Sequence, residues 1–172
     1  MSKTNNPASL PDRPLMPENY GISGKKEGLL EWGYPEKRLV EARNYWLATV
    51  SETGQPHVSP VWGLWDENAF YFGTDPLSRK GRNLTANPSA CLHLESGDEV
   101  VIVEGAISTL SELDQELPRH LDASYQEKYG VQLASSPVFR LTPSKVFAWR
   151  EADFPNTATR WTFEHERPVE DR

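Results

Sequence analysis

The 172-residue sequence predicts a mainly β, α+β fold: an antiparallel barrel with a few helices, in one domain. Three observations carry this. From Tyr45 onward the apolar residues alternate with polar ones in short runs, the period of half-buried strands. The runs are separated by compact turn signals, "ETGQ", "DEN" and "GD", which join neighbours as hairpins. Hairpin after hairpin gives an antiparallel sheet, because parallel strands need long crossovers. The length suffices for one sizeable core.

Residues 1–27, with prolines at 7, 11, 14 and 17, carry almost no apolar period and read as an extended or disordered arm. Residues 28–172 form the domain. A helix starts near Pro35, a residue suited to a first helical turn, and places Leu39 and Ala42 on one face. "YWLATVS" is the first strand, and "PHVSPVWGLW" the second, interrupted at Pro60. "AFYFGT" is the third. "SACLHLES" and "EVVIVEGAISTL" form a further hairpin. "SELDQELPRHLDASYQEKYG" reads as a helix from Ser111, kinked or split by Pro118. "SPVFRLTPSKVFAWRE" and "TATRWTFE" are the last strands.

Composition excludes several classes. The formal net charge of −7 argues against a general nucleic-acid or anionic-membrane binder. The single cysteine, Cys91, permits neither an internal disulfide nor a cysteine metal site. No signal-peptide pattern and no apolar run of spanning length is present, so a cytoplasmic location is expected. No H-E-x-x-H, G-x-S-x-G, Walker A or G-x-G-x-x-G motif occurs. No metal site and no catalytic residue is assigned.

"DPLSRKGRNLTANP", residues 75–88, is the unusual stretch. It reads as a short helix capped by Ser78 and ended by Asn87 and Pro88. Arg79, Lys80 and Arg82 fill its first turn, at the positive end of the helix dipole, where cations are disfavoured. Either they point into water, or they serve an anion. Free amides at a helix start and adjacent cations make a phosphate site. Thr74 and Ser78 add hydroxyls. "QPHVSPVWGLW" is the second such stretch. Proline cannot donate to a ladder, so Pro60 marks an edge or a bulge, where backbone groups are free for a flat polar ligand. His57 and His93 stand on different strands and read as packing or surface residues, as Trp62 and Trp65 read as core or interface residues.

The order of these elements resembles the pyridoxamine 5′-phosphate oxidase-like family of flavin-binding split barrels, over about residues 29–163. The specific parts are "G-x-P-H-x-S-P-V-W", "F-G-T-x-x-x-S-R-K-x-R-N-L-x-x-N-P" and "V-V-x-V-E-G". The wording is nearest to the flavin/deazaflavin oxidoreductase branch. The resemblance implies a homodimer of split β-barrels with cofactor sites at the interface. It implies that Arg79 and Lys80 bind the cofactor phosphate, with Gly73, Thr74, Ser78 and Asn83 in the adjoining loop and helix. His57, Val58, Ser59, Pro60, Val61 and Trp62 would line the ring edge and ribityl chain. Val100 would contact the ring, and Trp149 and Arg160 would reach the partner's cofactor. True pyridoxamine phosphate oxidases carry an Arg-x-Val-Leu-Leu-Lys strand where "HVSPVW" stands here, and a C-terminal arginine–histidine motif where "TATRWTF" stands. Oxidation of the vitamin phosphate is therefore not expected.

The resemblance thus implies an oxidoreductase that uses FMN or the deazaflavin coenzyme F-420, with a lean to the deazaflavin, for hydride transfer to or from a small organic substrate. Such cofactors carry the hydride chemistry themselves, which fits the absence of a catalytic motif. The longer anionic tail of the deazaflavin calls for further cations, and Arg82, Lys25 and Lys26 are candidates. The alternative is a non-catalytic cofactor- or haem-binding protein of the same fold.

Overall fold

The computed structural model describes residues 10–22, 24–111 and 117–163. Eight strands curl into an antiparallel half-barrel, accompanied by four α-helices. In chain order these are α1 (Gly33–Glu41), β1 (Tyr45–Val50), β2 (Pro56–Val61), β3 (Leu64–Asp66), β4 (Ala69–Gly73) and α2 (Arg79–Ala86). After them come β5 (Ser89–His93), β6 (Glu99–Thr109), α3 (Arg119–Tyr129), β7 (Val138–Arg150), α4 (Phe154–Thr157) and β8 (Thr159–Thr162). The strands lie in the order β2-β1-β5-β6-β7-β4-β3, with β8 paired to β7. β2 and β3, at opposite ends of this path, are neighbours in the chain, so the sheet returns on itself at the corner Trp62–Gly63.

The alternation seen in the sequence sets which face is inside. In β1, Tyr45, Leu47 and Thr49 are buried, opposite Val61, Ser59 and His57 of β2. Tyr45, Leu47 and Val61 join Leu92, Val101, Val103, Phe139, Leu141, Val146 and Trp161 in the barrel core. The outer face carries Trp46, Ala48, His93, Ile102, Phe147 and Trp149, all half-buried. β4 departs from alternation. Ala69, Phe70, Tyr71 and Phe72 are all buried, because Phe70 and Phe72 face the barrel while Ala69 and Tyr71 face Leu121, Tyr125 and Tyr129 of α3. The β3–β4 turn places Glu67 at φ 44° and Asn68 at φ 61°, the pair of left-handed residues that a two-residue hairpin requires.

One expectation is corrected. The second strand is not interrupted at Pro60, which pairs with Trp46. β2 is an edge strand, where a missing N–H is tolerated, and the break falls instead at Trp62–Gly63. Pro118 stands immediately before the first helical residue of α3, Arg119. Residues 112–116 of that expected helix lie outside the described residues.

The corner is built by packing. A Cβ on Gly63 would lie 2.2 Å from the Phe70 ring and 2.6 Å from the Tyr71 carbonyl oxygen, so no other residue fits without displacing β4. The Tyr129 hydroxyl accepts from the Gly63 amide (3.2 Å). Its proton faces the carbonyls of Arg43 (2.7 Å) and Gly63 (3.0 Å). One phenol from α3 thereby ties the start of β1 to the corner.

The expected arm, as far as it is described, is held by polar contacts that no apolar period reveals. Asp12 and Arg160 exchange backbone hydrogen bonds of 2.9 and 2.7 Å, adding a bridge at β8. Arg13, 9% exposed, donates to the carbonyls of Lys25, Glu27, Asn156 and Ala158 at 2.7–3.0 Å. This uses all five guanidinium donors and joins residues 12–27 to the α4–β8 connection. Removing it takes a guanidinium donor from four carbonyls. Arg13→Ala is expected to lower unfolding stability by about 2–4 kcal/mol, read by urea denaturation; an unchanged midpoint contradicts the strap.

Candidate functional site

The site grows from the end of β4. The chain leaves Gly73, passes Thr74 and turns into α2. Ser78 is the N-cap, its hydroxyl accepting from the Gly81 amide at 3.1 Å, and the Thr74 hydroxyl lies 3.3 Å from that of Ser78. Gly81 is dictated by contact: a Cβ there would stand 2.5 Å from the Asp75 carbonyl oxygen and 2.6 Å from that of Pro76. The absent side chain lets the helix seat on its own leading loop. Asn83, buried, donates to Thr49 Oγ1 at 3.0 Å and so fastens α2 to β1. It braces the helix from beneath.

The amides of Arg79 and Lys80 take no backbone acceptor, as expected at a helix start. Neither side chain forms an ion pair among the described residues. The third cation is engaged: Arg82 donates back to the Leu77 carbonyl. Opposite them on β2, His57 is held below its ordinary pKa by its desolvation first, then by Arg79 and Lys80.

An open cleft of ≈ 270 Å³ is lined by Pro60, Val61, Trp62, Gly73, Lys80 and Tyr125. Five of these come from the two stretches singled out in the sequence and the strand between them, brought together where β2 and β4 run without pairing to each other. Tyr125 comes from α3 and was not anticipated. Its spacing from Leu121 and Tyr129 marks an apolar helix face, but not what that face covers. Behind the cleft wall, the Trp62 indole stacks on Tyr129 (centroids 4.9 Å apart, 11° between planes), and Tyr129 packs on Tyr125 at 4.6 Å. Lys128 donates towards the Tyr45 hydroxyl (3.2 Å) and the Gly63 carbonyl (3.4 Å). Burial, and then Arg43, bring its pKa down to about 8. Burial, then Tyr129, pushes the Tyr125 phenol up to about 12. Ser59 Oγ is buried without a partner, and Val58 stands exposed on the outer face.

Val100, Trp149 and Arg160 do not line this cleft. Val100 pairs with Trp149, and Arg160 with Phe147, along β6, β7 and β8. Trp149 packs edge-on against Phe154, and Arg160 reaches Asp12 Oδ2 at 3.3 Å. They belong to the sheet's outer face. Among the described residues no group of three or more His, Cys, Asp or Glu side chains is placed to hold a metal ion, and no helix is long and apolar enough to cross a membrane.

An antiparallel half-barrel with a cleft beside its unpaired strand edge, Lys80 on its wall, is a split barrel of the flavin-binding type. Residues 36–150 match the family model described as pyridoxamine 5′-phosphate oxidase. The chain belongs to that family. Over 71 residues it is 39% identical to the pyridoxine/pyridoxamine 5′-phosphate oxidase of Alkalilimnicola ehrlichii, a match that covers 40% of this chain and 36% of the relative. The matched stretch thus spans about a third of that relative's length. Among solved structures, a conserved hypothetical protein from Mycobacterium tuberculosis superposes with a TM-score of 0.59 at 21% identity, over 70% of this chain and 85% of that one. An F-420 reductase gives 0.53 at 22% identity, over 68% and 98%. HutZ, the heme storage protein from Vibrio cholerae, gives 0.53 at 24% identity, over 67% and 89%. At these identities the likeness is one of fold.

The cleft wall depends on the corner, and the corner on one hydroxyl. Tyr129→Phe keeps the rings stacked but removes the acceptor of the Gly63 amide. It is expected to cost about 1–3 kcal/mol of unfolding stability, read by urea denaturation; wild-type stability would show that the hydroxyl does not lock the corner.

Proposed function

We propose that this chain is an oxidoreductase that holds a phosphate-bearing flavin-type cofactor, FMN or coenzyme F-420. The observation that carries the reading is the pair Arg79 and Lys80 at the start of a capped helix, with no ion pair to either among the described residues. An anion there turns both unfavourable placements into favourable ones. The donor set fits a phosphate: two cations, two free amides and the neighbouring Thr74 and Ser78 hydroxyls.

When bound, such a cofactor supplies hydride transfer through its own ring. The chain's residues bind and orient it. Arg79 and Lys80 hold the phosphate, and the β2 edge from His57 to Trp62 offers backbone groups to the ring edge. Gly73 leaves room beside them, and Asn83 keeps α2 in place. The substrate is a small organic molecule, and nucleic acid is not a partner of this acidic chain. Because the phosphate-oxidase strand and C-terminal motif are replaced, the reaction is not oxidation of pyridoxamine phosphate. The lean to F-420 rests on the wording of the motifs and on the fold shared with an F-420 reductase. Arg82, a candidate for its tail together with Lys25 and Lys26, donates to the Leu77 carbonyl.

The same reading makes residues 28–172 the cofactor-holding domain and residues 1–27 its arm, in a homodimer. The half-buried apolar outer face, with Trp46, Ile102 and Phe147, suits a second copy. In that assembly Val100, Trp149 and Arg160 approach the partner's cofactor.

A second reading, a non-catalytic haem-holding protein, is favoured by His93. Its Nδ1 lies 2.8 Å from the Leu94 carbonyl, so Nδ1 carries the proton and Nε2 keeps a lone pair for a metal, beside the stacked Trp46 ring. The absorption spectrum after loading with FMN, F-420 or haemin separates the readings, a Soret shift marking haem ligation. Arg79→Ala and Lys80→Ala are each expected to weaken FMN or F-420 binding about tenfold to a hundredfold, the range for a charge-assisted hydrogen bond, with folding retained. Wild-type affinity for both cofactors in both variants contradicts the proposal.

A further inference from the structure

Lys128 is a cation seated without an anion. Its side chain reaches from the last turn of α3 into the angle between three other elements. Nζ lies 3.5 Å from the Val40 carbonyl of α1, 3.2 Å from the Tyr45 hydroxyl of β1 and 3.4 Å from the Gly63 carbonyl at the corner. Each of these distances exceeds the length of a charge-assisted hydrogen bond, about 2.7–2.9 Å. Two of the acceptors are also engaged elsewhere. The Tyr45 hydroxyl donates to the Leu39 carbonyl at 2.6 Å, and the Gly63 carbonyl accepts from Tyr129 at 3.0 Å. The charged neighbour is Arg43, a like charge, whose guanidinium donates to the Lys128 carbonyl at 2.7 Å. Glu41, the acid at the end of α1, lies 3.9 Å from Lys37 instead. Neither Lys128 nor Arg43 forms an ion pair among the described residues. The rings of Tyr45 and Tyr129, with centroids 5.3 and 5.4 Å from Nζ, offset part of the charge. A half-buried ammonium beside a guanidinium, with no carboxylate, is still costly to keep protonated.

We propose that Lys128 is a proton-operated latch on the Trp62–Gly63 corner: as a neutral amine it stays seated among α1, β1 and the corner, and as an ammonium it is driven towards water. The latch goes beyond the cofactor reading and does not depend on it. Desolvation first, and then Arg43, bring the seated amine from its ordinary 10.5 down to about 8. Its neighbours do not change charge near that value. A guanidinium stays protonated throughout, and burial holds the Tyr45 and Tyr129 phenols above their ordinary range. Between pH 8 and 10.5 the unlatched chain binds a proton that the seated amine has released. The latch therefore tightens as pH rises through that window and is loosest below it. Opening leaves the Gly63 carbonyl to the Tyr129 hydroxyl, so the corner loosens without unfolding.

The test titrates the full chain by NMR from neutral to alkaline pH, following the Lys128 Cε resonance and the ring C–H resonances of Trp62. Lys128 is expected to titrate near pH 8. Trp62, whose ring stacks on Tyr129, is expected to shift with the same midpoint. Urea denaturation over the same range compares wild type with Lys128→Met, which removes the charge and keeps the length, and with Lys128→Arg, which stays charged. Relative to Lys128→Met, the wild-type unfolding constant is expected to fall on the order of tenfold as pH rises through the window, one released proton being worth about tenfold per pH unit. Lys128→Arg shows no such fall. If Lys128→Met does not fold, the two wild-type titrations decide alone. The proposal is overturned if Lys128 keeps its ordinary midpoint, or if the Trp62 resonances do not follow it. It is also overturned if wild type and Lys128→Met differ by the same factor at every pH, which makes Lys128 a packing residue.

Discussion

The Trp62–Gly63 corner is the constraint on which the rest of the molecule depends. A sheet that must return on itself within two residues needs a position where backbone approaches backbone, and Gly63 against Phe70 and Tyr71 is that position. Packing alone leaves a buried amide, which is costly unless it is bonded. Tyr129 accepts from it and ties it to the start of β1. The helix that supplies this hydroxyl also covers the second face of β4. Closing the barrel, burying β4 and shaping the cleft wall are therefore one event.

The cleft exists because of the gap that the corner leaves open. β2 and β4 approach but do not pair, so the β2 edge keeps backbone groups that no strand uses. α2, seated by Gly81 and braced against β1 by Asn83, carries Arg79 and Lys80 at its positive end. Such a concentration is unfavourable in the isolated chain. His57 lies below its ordinary pKa through its desolvation first and these two cations second, and a bound anion is the simplest way to offset their charge.

The barrel was legible in the sequence because period-two runs and turn residues are local signals. So was the α2 cap, since Ser78 and the three cations are close neighbours in the chain. Pro60 marked the edge correctly but not the break, because a proline is harmless where no partner strand waits, while Gly63 is demanded by the Phe70 ring across the hairpin. Arg13 was invisible for a different reason: its partners are backbone carbonyls, which leave no pattern in side-chain identity. Tyr125 and Tyr129 showed an apolar helix face, yet their use at the corner depends on tertiary contact. Of the expected site residues, Pro60, Val61, Trp62, Gly73 and Lys80 line one cleft, while Val58 stands exposed. Val100, Trp149 and Arg160 lie on the outer face, where only a second copy gives them a role.

The start of α2, with His57 on the neighbouring strand, is proposed above as an anion site. It is tested most directly by monitoring the His57 ring and the backbone amides by NMR as FMN is added. A phosphate offsets the field of Arg79 and Lys80 and so makes protonation of His57 less costly. Its pKa rises from below 6.5 towards the ordinary value, and by linkage FMN binds more tightly as pH falls through that range. The account predicts this rise, with the largest amide shifts at residues 78–81. An unmoved His57 titration, with amide shifts confined to other parts of the chain, would contradict it.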